Sequence, residues 1–302
     1  MFDKKVKLNN NCEMPMLGLG TWMITDEDKL EESIRNAIKY GYRHIDTAFI
    51  YGNEKFIGKI LKKIFTEGLV KREDLFITSK LWCTYHDDPE KGIKLTLKDL
   101  QMDYVDLFLV HFPVKFKTDK NHNSFTDEKG NNVLDTFNCL DVWKKMESLV
   151  DKGLTKSIGV ANFGMYNIGK ILKDCRIKPV INQFEIHPYL SQNELVDYCQ
   201  KNDINVVSYS SLGGTAKQDV NLKEDPEILR ISKKYNKTVP QVILSWLIMR
   251  DILIIPKSMS EKHIKENTDL FTLKYEDFMA ISKLNRNYRF IDLPEHGPDR
   301  FK

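Results

Sequence analysis

The sequence predicts an α/β protein built as a closed (β/α)8 barrel, on three observations. Eight short apolar or β-branched runs recur along 302 residues, and stretches of helical period separate them. The runs are too apolar for either face to meet water, which argues for a parallel sheet covered by helices. Eight such strands can lose both free edges by closing on themselves.

The runs end near Gly20, Asp46, Lys80, His111, Val160, Glu185, Ser210 and Ile255. Between them the periodicity predicts helices over Lys29–Tyr40, Glu54–Lys63, Pro89–Leu100, Leu140–Lys152, Met165–Asp174 and Gln192–Asn202. Ser191 with Glu194 three residues on reads as a capping box opening the last of these. An open doubly wound sheet competes on pattern alone. Gly18-Leu19-Gly20 continues as Thr-Trp-Met, however, and lacks the third glycine of the dinucleotide fingerprint. No Pro/Gly/Ser-rich linker or composition break divides residues 1–302, so a single TIM-barrel domain is expected. One long insertion, Lys115–Phe137, follows the fourth strand and reads as a lid or a disordered flap. An irregular tail, Asn285–Lys302, is expected over the barrel mouth.

Composition removes several function classes. Basic residues number 46 and acidic ones 43, a net charge of +3 without a dominant block, which predicts neither nucleic acid nor an anionic membrane as partner. The longest apolar stretch, Val242–Met249, is too short to span a bilayer. Five scattered cysteines and no signal-peptide pattern predict reduced thiols and a cytoplasmic location. No H-E-x-x-H, paired cysteines or close histidine pair suggests a metal site, and no G-x-S-x-G elbow suggests a serine hydrolase. Gly52 to Lys59 has one residue too many between its glycines, and Ile60 where a phosphate loop needs Ser or Thr.

Asp46, Lys80 and His111 stand at three successive strand ends, and Tyr51 lies in the first loop after Asp46. In a (β/α)8 barrel the C-terminal strand ends converge on one face, so all four can meet there. Any one of them alone reads as a loop charge. Together they suit carbonyl reduction: hydride arriving at carbon leaves negative charge on oxygen, which needs a proton. A free tyrosine, with a pKa of about 10, is a poor acid. A neighbouring ammonium is expected to lower that pKa, with Asp46 holding Lys80 charged and His111 orienting the substrate oxygen.

Gly41-Tyr42-Arg43-His44-Ile45-Asp46-Thr47-Ala48, followed by Tyr51, Glu54 and Ile57-Gly58, resembles the first signature of the aldo-keto reductases. Lys156-Ser157-Ile158-Gly159-Val160-Ala161-Asn162-Phe163 and Ile255-Pro256-Lys257-Ser258 resemble two further signatures of that family. The resemblance implies NADPH-dependent reduction of aldehydes or aldoses, with some ketones, to alcohols. Tyr51 is then the proton donor, Lys80 and Asp46 its partners and His111 the orienting residue. Tyr209 is expected to stack on the nicotinamide, with Asn162 and Gln183 bonding its carboxamide and Asp46 beside it. Thr21, Trp22, Ser210, Leu212 and Gly213 are expected along the pyrophosphate, and Lys257, Ser258, Met259, His263, Glu266 and Asn267 at the adenosine 2′-phosphate end. Trp22, Trp82, His111 and Phe112 are expected to line the substrate pocket. Val110 to Lys117 is closer to xylose reductases than to mammalian aldose reductases.

Three departures from the family pattern stand out. Ala161 replaces a Ser or Cys, removing one cofactor hydrogen bond. Ser211 stands where proline is usual, which is expected to loosen the cofactor loop. His263 replaces an arginine. Arginine is always charged and grips phosphate with two donors, and losing one charge-assisted contact is worth roughly 1.5–3 kcal/mol. Weakened discrimination between NADPH and NADH is therefore expected. Relatives occur as monomers and homodimers, and both stay open. So do two other readings: a metal-dependent hydrolase on ligands such as Asp46, His111 and Glu185, and a regulatory barrel that keeps the cofactor but turns over little, like the potassium-channel β subunits.

Overall fold

The computed structural model describes residues 2–214 and 220–302. Eight parallel strands form the central sheet: β1 Leu19–Gly20, β2 His44–Asp46, β3 Phe76–Leu81, β4 Val105–Val110, β5 Thr155–Ala161, β6 Ile181–Glu185, β7 Asn205–Tyr209 and β8 Ile252–Ile254. They neighbour one another in chain order. The sheet closes where Gly18 N donates to Ile254 O at 2.9 Å and Ile254 N donates to Met16 O at 2.9 Å. Gly20 is needed at that seam, since a Cβ there would stand 2.5 Å from Ile255 O. The expected barrel is therefore observed, with His111 lying one residue beyond β4 and Ser210 one beyond β7.

Helices α1 Glu27–Lys39, α2 Glu54–Thr66, α3 Pro89–Leu100, α4 Cys139–Asp151, α5 Met165–Asp174 and α6 Asn193–Lys201 cover the outside. Each lays an apolar stripe on the strands, as Leu30, Ile34, Ala37 and Ile38 do in α1. The barrel interior is filled by Leu107, Leu109, Ile181, Val207 and Leu253. Leu8, Met14 and Met16, from a hairpin pairing Lys5–Lys7 with Glu13–Pro15, plug its N-terminal end. That leaves the C-terminal end for chemistry.

Four helices were not anticipated: α7 Pro226–Tyr235, α8 Val239–Ile248, α9 Glu261–Glu266 and α10 Tyr275–Ser282. The capping box at Ser191 does not form. Gln192 adopts a left-handed backbone before α6, and the Ser191 hydroxyl is buried without a hydrogen bond. A capping box does form at Thr238 and Gln241, which opens α8.

The insertion is ordered by its own turn chemistry. Lys115–Phe116 pairs antiparallel with Leu134–Asp135. The Asp119 carboxylate accepts from Asn121 N and Asn123 N, and Asp127 does the same for Lys129 N and Asn131 N. The tail lies over the mouth, as expected. Phe290 N and Ile291 N donate to the buried Glu185 carboxylate at 2.7 and 3.1 Å, and Gly164 N donates to Lys302 O at 3.0 Å. No helix among the described residues is long and apolar enough to cross a membrane.

Candidate active site

The ends of β2, β3 and β4 carry the first cluster. Lys80 points into the barrel mouth and is fully buried, so its ammonium must find partners or give up its charge. It finds three: Asp46 Oδ1 at 2.6 Å, Thr47 O at 2.9 Å and the Tyr51 hydroxyl at 3.3 Å. Burial opposes the charge on Lys80, but Asp46 and Tyr51 outweigh it and hold its pKa above the ordinary value. The other Asp46 oxygen accepts from Gln183 Nε2 at 2.8 Å, and the Thr21 hydroxyl donates to Asp46 O at 2.9 Å. A short helical turn, Phe49–Tyr51, brings the phenol over the ammonium, which lies 4.9 Å from its ring centroid.

One expectation needs correcting here. The Tyr51 phenol sits above its ordinary pKa, because burial raises it more than the Lys80 ammonium lowers it. The group is thus kept protonated, with the ammonium offsetting part of the desolvation. His111 stands edge-on to Tyr51 at 6.0 Å between ring centroids. Burial, and then Lys80, hold its pKa well below the usual histidine range, so it is a neutral imidazole. Its Nδ1 is buried without a hydrogen bond. An unpaired N–H costs more than an unpaired lone pair, which assigns the proton to Nε2.

The amides come next. Asn162, in a left-handed backbone after β5, donates to His111 O at 2.9 Å and accepts from the Tyr209 hydroxyl at 2.7 Å. With Gln183 on Asp46, both amides already brace the charged cluster, a use that sequence spacing did not indicate. Their second N–H and lone-pair positions are what remains for a carboxamide.

The loops after β7, β8 and β1 are neighbours around the mouth, because β8 pairs with β7 and bridges to Leu17, just before β1. They carry Ser210, Leu212 and Gly213, then Lys257, Ser258 and Met259, then Thr21 and Trp22. Ser211 sits in the turn after β7. Its hydroxyl is buried and 2.7 Å from the Ser208 hydroxyl, while Gly213 N closes on Ser210 O at 2.8 Å. Lys257 makes no ion pair among the described residues, and partial burial lowers its pKa. A cation without an anion suits a phosphate. His263 is exposed on α9, the Glu266 carboxylate lies 3.8 Å from Lys262, and Asn267 is buried at the end of that helix.

The aromatic residues divide. Trp82 meets His111 at 5.4 Å and Phe112 at 6.3 Å, and Phe112 stacks on His111 at 5.1 Å. Trp22 is 42 % exposed and joins none of these ring contacts among the described residues. Sequence reading missed His296, whose ring from the tail packs on Trp82, Phe112 and Phe116. Glu54, named there only as part of a signature, is a buried carboxyl bonded by Ser79 and Thr96 and pushed up to about 7 by burial. Among the described residues no group of three His, Cys, Asp or Glu could hold a metal ion.

The family model described as Aldo/keto reductase family matches residues 16–286. An aldose reductase of Encephalitozoon cuniculi is 53% identical over 302 residues, covering 100% of both chains. An NAD(P)H-dependent D-xylose reductase of Scheffersomyces stipitis is 44% identical, over 95% of this chain and 96% of its own. Among solved structures, the aldose reductase from Schistosoma japonicum superposes with a TM-score of 0.91 at 38% identity, covering 99% of this chain and 98% of that one.

Proposed function

We propose that this chain, which belongs to the aldo/keto reductase family, reduces aldehydes and aldoses, with some ketones, to alcohols using NADPH. The observation that carries the reading is a fully buried ammonium whose contacts are a carboxylate, a backbone carbonyl and a phenol, beside a neutral imidazole. The names of the two relatives, an aldose reductase and a xylose reductase, support the substrate class.

When bound, the reduced nicotinamide supplies the hydride. His111 donates from Nε2 to the carbonyl oxygen and fixes its position. Tyr51 gives its phenolic proton to that oxygen as negative charge develops there. The phenolate left behind is stabilised by the Lys80 ammonium 3.3 Å away. Asp46 keeps that ammonium charged and aimed, and Gln183 and Thr21 hold Asp46. Tyr209 offers a ring face to the nicotinamide, with Asn162 and Gln183 at the carboxamide. Thr21, Trp22, Ser210, Leu212 and Gly213 border the pyrophosphate. Lys257, with Ser258, Met259, Glu266 and Asn267, receives the 2′-phosphate end. The domain acts as one barrel over residues 1–302, in the cytoplasm.

His263 widens cofactor use to NADH. It replaces an always-charged two-donor contact, so discrimination weakens while Lys257 still favours the phosphate. A scan of aldehydes, aldoses and ketones with NADPH and NADH in parallel tests both statements. We expect oxidation of both cofactors, NADPH preferred, and His263→Arg to raise that preference about tenfold. Absence of cofactor oxidation with every carbonyl would favour a regulatory barrel instead. A preference that His263→Arg leaves unmoved would remove His263 from the account.

A further inference from the structure

His296 has no part in the chemistry above, yet the fold invests in placing it. The tail that carries it is fastened by Glu185, a fully buried carboxylate that accepts from Phe290 N, Ile291 N and His187 Nε2. Beyond that latch the chain turns down over the ends of β3 and β4. There the His296 ring is 6% exposed and meets Phe112 at 4.8 Å, Phe116 at 5.3 Å and Trp82 at 5.8 Å, all edge-on. Trp82 and Phe112 are the same two rings that hold His111. Two imidazoles thus share one aromatic corner, one supplied by the barrel and the other by the tail.

Their polar atoms are arranged alike. In each ring Nδ1 is buried without a hydrogen bond. By the tautomer argument already used for His111, the proton of His296 sits on Nε2, where it is a single N–H donor. Burial holds His296 below its ordinary pKa, so it is neutral and gives no attraction to a carboxylate. An apolar corner with one fixed donor recognises a hydroxyl: the rings cover the carbon skeleton and the N–H finds oxygen.

We propose that His296 is a specificity-determining residue that donates from Nε2 to a substrate hydroxyl beyond the carbonyl carbon, so that hydroxylated aldehydes and short aldoses are preferred over apolar aldehydes. The inference rests on the reductase reading of the same site. It adds to it the chemical class of substrate and the residue that selects it.

Glyceraldehyde and propanal have three carbons each and differ in two hydroxyls, which makes them a direct probe. We expect the wild-type ratio of kcat/KM for glyceraldehyde over propanal to fall about tenfold in His296→Phe, the effect of one hydrogen bond of order 1 kcal/mol or slightly more. The loss should appear as a raised KM for glyceraldehyde rather than a lowered kcat. His296→Asn, which keeps a side-chain N–H, should recover part of the ratio. Quenching of tryptophan fluorescence by NADPH reports whether each variant is folded, and if the phenylalanine does not fold, the asparagine and His296→Leu give the same comparison. A ratio that stays at the wild-type value in the folded variants overturns the role of His296 and leaves the reductase reading intact. Wild-type protein that oxidises NADPH with neither aldehyde overturns both.

Discussion

The two ends of the barrel each hold a buried carboxylate facing cations, and they use it differently. At the N-terminal end Asp106 accepts from Arg72 at 2.8 Å, Lys156 at 2.9 Å and Ile77 N at 2.9 Å. Two cations and a backbone N–H surround one anion, and the Lys156 side chain is half in water. The Tyr104 ring lies over both cations, 4.2 Å from the Arg72 guanidinium and 4.4 Å from Lys156 Nζ, and this cluster stays partly open to water. At the C-terminal end Asp46 faces a single ammonium with no exposed surface, and the third contact of that ammonium is a phenol. The first arrangement ties strands together. The second spends the same kind of ion pair on keeping a proton donor beside a positive charge. A barrel separates these tasks by placing them at opposite strand ends.

Breaking the upper pair should have the largest effect. Lys80→Met leaves the Asp46 carboxylate buried and uncompensated, at a cost of about 3–5 kcal/mol in unfolding free energy. It also removes the charge beside Tyr51, so turnover should fall by about a hundredfold or more. Chemical denaturation and steady-state kinetics on one preparation check both effects. A variant that keeps wild-type turnover would show that the ammonium is merely structural.

A second prediction concerns Glu54, on α2 behind Lys80. Its carboxyl is raised to about 7 by burial, against an ordinary carboxylic value. The folded state then binds the proton more tightly than the unfolded chain. Stability is therefore greatest below the unfolded pKa and is lost as pH rises through the folded one. Glu54→Gln keeps both hydroxyl partners without the ionisation, so its stability relative to wild type should grow between about pH 4.5 and 7, by roughly 3–4 kcal/mol at most. Equal pH slopes for the two proteins would contradict this.

The smallest effect is expected at the lower end. Asp106→Asn should cost about 1–3 kcal/mol of stability, because Arg72 and Lys156 can turn to water. It should leave kcat/KM within a factor of two. A large kinetic loss there would mean that the two ends are not independent.

How much of this was legible in the sequence depends on whether a signal is local. The strands were readable because the apolar runs are short and bounded, and Asp46, Lys80 and His111 stand at the polar ends of three of them. α8 was hidden for the opposite reason. Its segment, Val239–Ile248, is buried almost all round and offers an apolar run without a stripe. The Ser191 capping box had the right letters, but Gln192 takes a left-handed turn that puts the serine outside the helix. The insertion looked formless, although Asp119 and Asp127 each nucleate a turn. Long-range facts were beyond reach: no pattern in Leu293–Gly297 announces that His296 packs against Trp82, some 200 residues earlier. The sign of the Tyr51 shift was also inaccessible, since it depends on how deeply the ring is buried.

The most direct measurement is carbonyl-dependent NADPH oxidation by wild type and Tyr51→Phe, with cofactor binding followed in both. Removing one oxygen leaves the ring, the ion pair and the cofactor loops in place. The account predicts that NADPH still binds and that kcat falls about 10²–10⁴-fold, the range for a lost general acid. Turnover by the phenylalanine variant at the wild-type rate would contradict it.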